Sequence, residues 1–108
     1  MVIDGFTDVS ALLRGGIYIL ISRGEVVFVG KASSQMLARI TTHRSLAKKS
    51  APPWVPIQGV VFDQVLIRQV HPDQIDEIHS ALIDVYSPRH NIRIPFPSVP
   101  QPQLTRRL

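Results

Sequence analysis

Residues 15 to 32, GGIYILISRGEVVFVGKA, constrain this chain more than any other stretch. Two runs rich in β-branched and aromatic residues, 16 to 22 and 25 to 30, flank the Arg23-Gly24 pair. Gly24 tolerates the positive φ that a tight two-residue turn demands, so the stretch predicts a β-hairpin whose second strand ends at Gly30. A plain structural hairpin needs neither a tyrosine at position 18 nor the Gly30-Lys31 exit.

The rest of the chain supplies partners for that hairpin. Ser33 or Ser34 is placed to cap a helix running to about Lys48, with Met36, Leu37, Ile40 and Ala47 at helical spacing and His43 in line with them. Pro52, Pro53 and Pro56 interrupt the chain around Trp54, which predicts an ordered loop. Residues 59 to 70 read as a third strand. Pro72 then opens a second helix, with His71 or Asp73 near its start and an apolar face of Ile75, Ile78, Leu82 and Val85 as far as Tyr86, stopped by Ser87-Pro88. Residues 7 to 13 read as a helical turn or an irregular lead-in, and His71, His79 and His90 as solvent-facing or capping. The order hairpin, helix, strand, helix predicts a small α/β (α+β) domain over residues 1–92, an antiparallel sheet with helices packed on it. Residues 93–108, with Pro95, Pro97, Pro100, Pro102 and Arg106-Arg107, form a Pro-rich basic tail expected to be extended or disordered.

Composition narrows the chemistry. With 108 residues, 44% of them hydrophobic, the chain can build one domain with a real core. It holds no cysteine, which excludes a disulfide framework, a thiolate zinc site and a cysteine nucleophile, and leaves any metal to be a hard ion on oxygen or imidazole donors. Acids in MVIDGFTD and the lack of a long apolar run predict a soluble, intracellular (cytoplasmic) protein without a membrane partner. The net charge is +4. Its placement matters more: Lys31, Arg39, Arg44, Lys48 and Lys49 lie in a stretch without a single acid, the expected face for a nucleic-acid backbone.

Tyr18 within an apolar strand, Arg39 and His43 one helical turn apart, and Glu77 beside the apolar stripe of the last helix are side chains that an economical core would not place there. Converging over the sheet, they would offer what phosphodiester cleavage requires: a proton acceptor, a cation for the phosphate and a carboxylate for a divalent ion. GIY at 16 to 18, FVG at 28 to 30 followed by Lys31, then Arg39, His43, Glu77 and the ending EIHSALIDVYSPRHNI with Asn91 together resemble the GIY-YIG nuclease superfamily over roughly residues 14 to 92. The resemblance implies a three-stranded antiparallel sheet flanked by helices and a DNA endonuclease dependent on Mg²⁺ or Mn²⁺. It implies metal binding by Glu77 and phosphate engagement by Arg39. Tyr18, Lys31 and His43 fall at motif positions, Gly16, Phe28 and Gly30 shape the site, and Asn91 closes its side of the domain. Phe28 stands where the second motif has a tyrosine, so tyrosine chemistry would rest on Tyr18 alone. A homodimer or a partner protein would then supply specificity and a second cut. The alternative is a catalytically weak or inactive nucleic-acid- or protein-binding module on the same fold.

Overall fold

The computed structural model describes residues 1–47 and 59–91. The loop around Trp54, Lys48, Lys49 and the tail 93–108 lie outside the described residues. Strand β1 (Gly16–Ser22) is central, flanked by β2 (Glu25–Ala32) and β3 (Gln64–Gln69), each antiparallel to it. Helix α1 (Met36–Ala47) and helix α2 (Pro72–Tyr86) complete the fold, with short 3₁₀ turns at Ser10–Leu13 and Arg89–Asn91.

The hairpin turns where its sequence says. Arg23 and Gly24 both take positive φ, 54° and 78°, the pairing whose twist matches that of the adjoining strands. The second strand, however, continues past Gly30: Ile17 stands opposite Lys31 and Gly16 opposite Ala32. Gly30 has a different purpose, taken up below. Leu20 pairs with Phe28 but Ile21 with Val26, so Val27 is an extra residue in β2, a bulge. The bulge lets the consecutive residues Val27 and Phe28 pack into one cluster.

Alternation along β1 builds two cores. Tyr18 and Leu20 join Val27, Ala32, Met36, Ile40 and Val60 on the side that α1 covers. Ile17 joins Val29, Val70 and Ile75 on the other side, packed by Ile19, Ile78, Leu82 and Ile83 under α2. The two helices thus cover opposite faces of the sheet.

Several boundaries depart from the sequence reading. Helix α1 starts at Met36 rather than after a serine cap, because Gln35 just before it is left-handed (φ 56°) and the Met36 N–H is taken by the Arg14 carbonyl at 3.1 Å. Its buried stripe is Met36, Ile40 and His43, while Leu37 lies on the shoulder and is exposed. The third strand is shorter than 59–70. Residues 59–63 run irregularly, tied down where the Val60 N–H donates to the His43 carbonyl (3.1 Å) and the Asp63 N–H to the Ile21 carbonyl (2.9 Å). In α2, Ile83 packs where Val85 was expected, and Val85 is exposed.

The ends of α2 follow their sequence signals. His71 caps the helix, its Nδ1 accepting from the Asp73 N–H at 3.2 Å, with Pro72 in the first turn. Ser87 closes it in the left-handed region and donates its N–H to the Ile83 carbonyl at 2.7 Å. Among the described residues no helix is long and apolar enough to cross a membrane.

Candidate active site

Position 18 lies on the central strand, on the side that α1 covers, and the side chain there is 1% exposed. A phenol sealed from water needs a hydrogen-bond partner, and α1 provides one. His43 lies on the buried stripe of α1, 2% exposed, and its Nε2 lies 2.7 Å from the Tyr18 hydroxyl. The Phe28 ring flanks the imidazole at 4.7 Å between centroids and lies 6.2 Å from the tyrosine ring. Gly30 stands opposite Tyr18 in the ladder, and a Cβ there would enter the tyrosine ring. The glycine is therefore the floor beneath Tyr18, which is why a strand keeps it in mid-run.

Electrostatics sort the roles of these groups. Burial pushes the Tyr18 phenol up to about 12, and the positive charge of Arg39 pulls against that shift without overcoming it. At neutral pH Tyr18 keeps its proton, so within the pair the group able to accept one is the imidazole. The sign of the consequence follows from linkage. The unfolded chain ionises a tyrosine near the ordinary value of 10.0, whereas the folded chain holds the proton to about 12. The stabilisation is complete below the lower value and is lost as pH rises through the higher one. Thermal unfolding followed from pH 9 to 12 should show a melting temperature that falls above pH 10, and a Tyr18→Phe variant should lose that part of the slope.

The remaining sequence-predicted residues fall into two groups. Arg39, one turn before His43, and Arg44 are exposed on α1. Asn91 holds the backbone of Val29, its Oδ1 accepting from the N–H at 2.8 Å and its Nδ2 donating to the carbonyl at 2.9 Å. Gly16 begins β1 so close to β3 that a Cβ would meet the Arg68 carbonyl. Lys31 and Glu77 belong to the α2 side of the sheet. Lys31 shares the α2 side of the sheet with Ile17 and ion-pairs with Asp76 at 2.7 Å. Glu77 is exposed on α2, the helix packed over the other face.

One residue that the sequence reading left on the surface is engaged: His79 is half-buried, with its Nε2 3.0 Å from the Val29 carbonyl. The signal was present in the spacing, since His79 lies four residues after Ile75 and three before Leu82, on the stripe that packs.

Among the described residues no three His, Asp or Glu side chains gather as a metal cage. Of the acids on α2, Asp73 approaches His71 and Asp76 is paired with Lys31, whereas Glu77 and, two turns further on, Asp84 are exposed and outside the salt bridges. A lone accessible carboxylate suits a hard ion that keeps most of its waters and takes further oxygens from a phosphate, and suits no ion that needs a preformed protein cage.

No protein-family model matches the sequence, and no curated protein matches it. Solved structures do. The GIY-YIG N-terminal endonuclease domain of UvrC from Thermotoga maritima, as an asparagine-to-alanine point mutant bound to its catalytic divalent cation, superposes with a TM-score of 0.56 at 20% identity, covering 78% of this chain and 92% of that one. A tyrosine-to-phenylalanine mutant of the same domain gives 0.56 at 22% identity, covering 77% and 92%. The magnesium-bound domain gives 0.54 at 20%, again covering 77% and 92%. The likeness extends over most of both chains, and this chain, with its three-stranded sheet centred on β1, has the GIY-YIG endonuclease-domain fold.

Proposed function

We propose that the chain is an endonuclease domain that hydrolyses phosphodiester bonds in DNA with the help of a divalent cation. The observation that carries this reading is the buried Tyr18–His43 hydrogen bond one helical turn from the exposed Arg39, on a fold shared with a nuclease domain solved with a bound cation. Tyr18 takes a proton from the attacking water as its own proton passes along the 2.7 Å bond to His43 Nε2, so the phenol is never left as an anion. Arg39 binds the phosphate and offsets the charge that grows on it. Arg44, with Lys48 and Lys49, adds nonspecific attraction for the backbone. Glu77 would hold Mg²⁺ or Mn²⁺, which when bound supplies positive charge at the departing oxygen of a phosphate that straddles the β2 edge between the α1 and α2 sides of the sheet. One such site cuts one strand, so a double-strand break needs a second copy or a second visit, and DNA shape or a partner protein would supply specificity.

A second reading, a nucleic-acid- or protein-binding module with little or no catalysis, is favoured by two observations. Phe28 brings no hydroxyl, and Tyr18 and His43 are both almost wholly enclosed. Incubating the chain with supercoiled, branched and single-stranded DNA in Mg²⁺ or Mn²⁺, beside Glu77→Ala, separates the two. The endonuclease reading expects metal-dependent products that fall about 100-fold or more in the variant, the scale of losing one charge-stabilising group. Equal products from both proteins would remove Glu77 from the mechanism, and DNA binding without metal-dependent products would select the binding module.

A further inference from the structure

One residue of α2 and one of the turn after it converge on the backbone of a single sheet residue, Val29. Val29 belongs to β2, an edge strand, and both its N–H and its carbonyl bond the Asn91 carboxamide. That carboxamide covers the open edge as a neighbouring strand would. The same carbonyl also meets His79 Nε2 at 3.0 Å. A carbonyl has no proton to give, so Nε2 carries the hydrogen and donates, and the two lone pairs of the oxygen serve both donors. Val29 itself is fully buried, so its peptide has no water to turn to if these bonds are lost.

What adjoins this peptide gives the contact its meaning. Phe28 precedes it, with its ring 4.7 Å from that of His43, and Gly30 follows it as the floor under the Tyr18 ring. Helix α2 on one side of the sheet and the turn after it at the β2 edge therefore fix the backbone that bounds a hydrogen-bonded pair on the other side.

We infer that His79 is a positioning residue for the candidate active site, acting through the Val29 carbonyl to set where Phe28 and Gly30 hold the Tyr18–His43 pair. Its effect on turnover rests on the endonuclease reading; its effect on the pair does not.

The test compares His79→Leu, which keeps bulk and loses the donor, with His79→Gln, whose amide can still donate. Each is made in the full chain and followed by circular dichroism, by NMR of the His43 and Tyr18 ring resonances, and by DNA cleavage. His79→Leu should remain folded with both sets of ring resonances displaced, and turnover should fall about 10- to 100-fold with KM within about twofold, as expected when reacting groups shift by a fraction of an ångström to an ångström. His79→Gln should restore the wild-type resonances and most of the turnover. If the leucine variant does not fold, His79→Asn, whose shorter amide stops short of the carbonyl, takes its place with the same expectation. A folded donor-less variant with unchanged Tyr18 and His43 resonances overturns the inference, as does a glutamine variant displaced as far as the leucine one. If wild type cleaves no DNA, the endonuclease reading fails and the resonances alone decide the role of His79.

Discussion

Gly30→Ala should lower the melting temperature by on the order of 10 °C and abolish any activity that depends on the Tyr18–His43 pair. A Cβ at position 30 has no room, because the atoms it would meet belong to the Tyr18 ring, and that ring is enclosed between sheet and α1. Tyr18 cannot move aside without breaking its 2.7 Å bond to His43, and the strand cannot move without leaving its register with β1. Overpacking of this kind costs about 1–3 kcal/mol, and leaving the imidazole or the phenol buried without its partner adds about 1–3 kcal/mol more. In a domain of this size each kcal/mol moves the melting temperature by about 4–8 °C. Differential scanning calorimetry on wild type and variant measures it. A change of less than about 2 °C would mean that Tyr18 does not lie against Gly30. Gly24→Ala is the useful contrast, since a Cβ there meets nothing within 4 Å and the strain comes only from its φ of 78°.

Arg39→Ala should separate chemistry from folding. The guanidinium is exposed, so its removal leaves no buried group unpaired and should move the melting temperature by no more than about 2 °C, as for most surface changes. Its charge, however, reaches Tyr18, where it opposes the upward pull of burial. The variant should therefore show a Tyr18 phenol that ionises at still higher pH, readable by ultraviolet titration on the folded protein. Its cleavage of DNA should fall about 100- to 1,000-fold, the usual loss on removing one group that stabilises developing charge. Arg68→Ala gives the matched comparison: Arg68 is exposed on β3 opposite Ile17, on the side of the sheet away from Tyr18. It should cleave at close to the wild-type rate.

Much of this was legible in the sequence because strand periodicity and turn chemistry are local. Arg23-Gly24 fixed the hairpin turn, and alternation through GIYILIS put Tyr18 and Leu20 on one face and Ile17 and Ile19 on the other. His43 in line with Met36 and Ile40 announced its place on the packed stripe, whereas the four-residue offset that put Arg39 on the same face did not show that Arg39 would be exposed. What was not legible depended on how elements pack. The extra residue at Val27 leaves no mark in a run of consecutive apolar residues, so the second strand read as regular and too short. Lys31 looked like part of a basic face, but the register turns it towards α2, where Asp76 meets it. Glu77 was singled out as a carboxylate beside an apolar stripe, and spacing along one helix does not say which face of a sheet that helix will cover. His79 was passed over for the converse reason, since the bond that engages it goes to a backbone carbonyl, which every residue has.

The most direct measurement is nicking of supercoiled DNA by the full chain in Mg²⁺, with bound DNA read from the same samples. Wild type should convert supercoiled to nicked circles, chelation of the metal should stop the reaction, and Arg39→Ala should bind DNA while forming little nicked product. DNA bound by wild type with no nicked product in Mg²⁺ or Mn²⁺ would contradict the endonuclease reading and leave a binding module built on a nuclease fold.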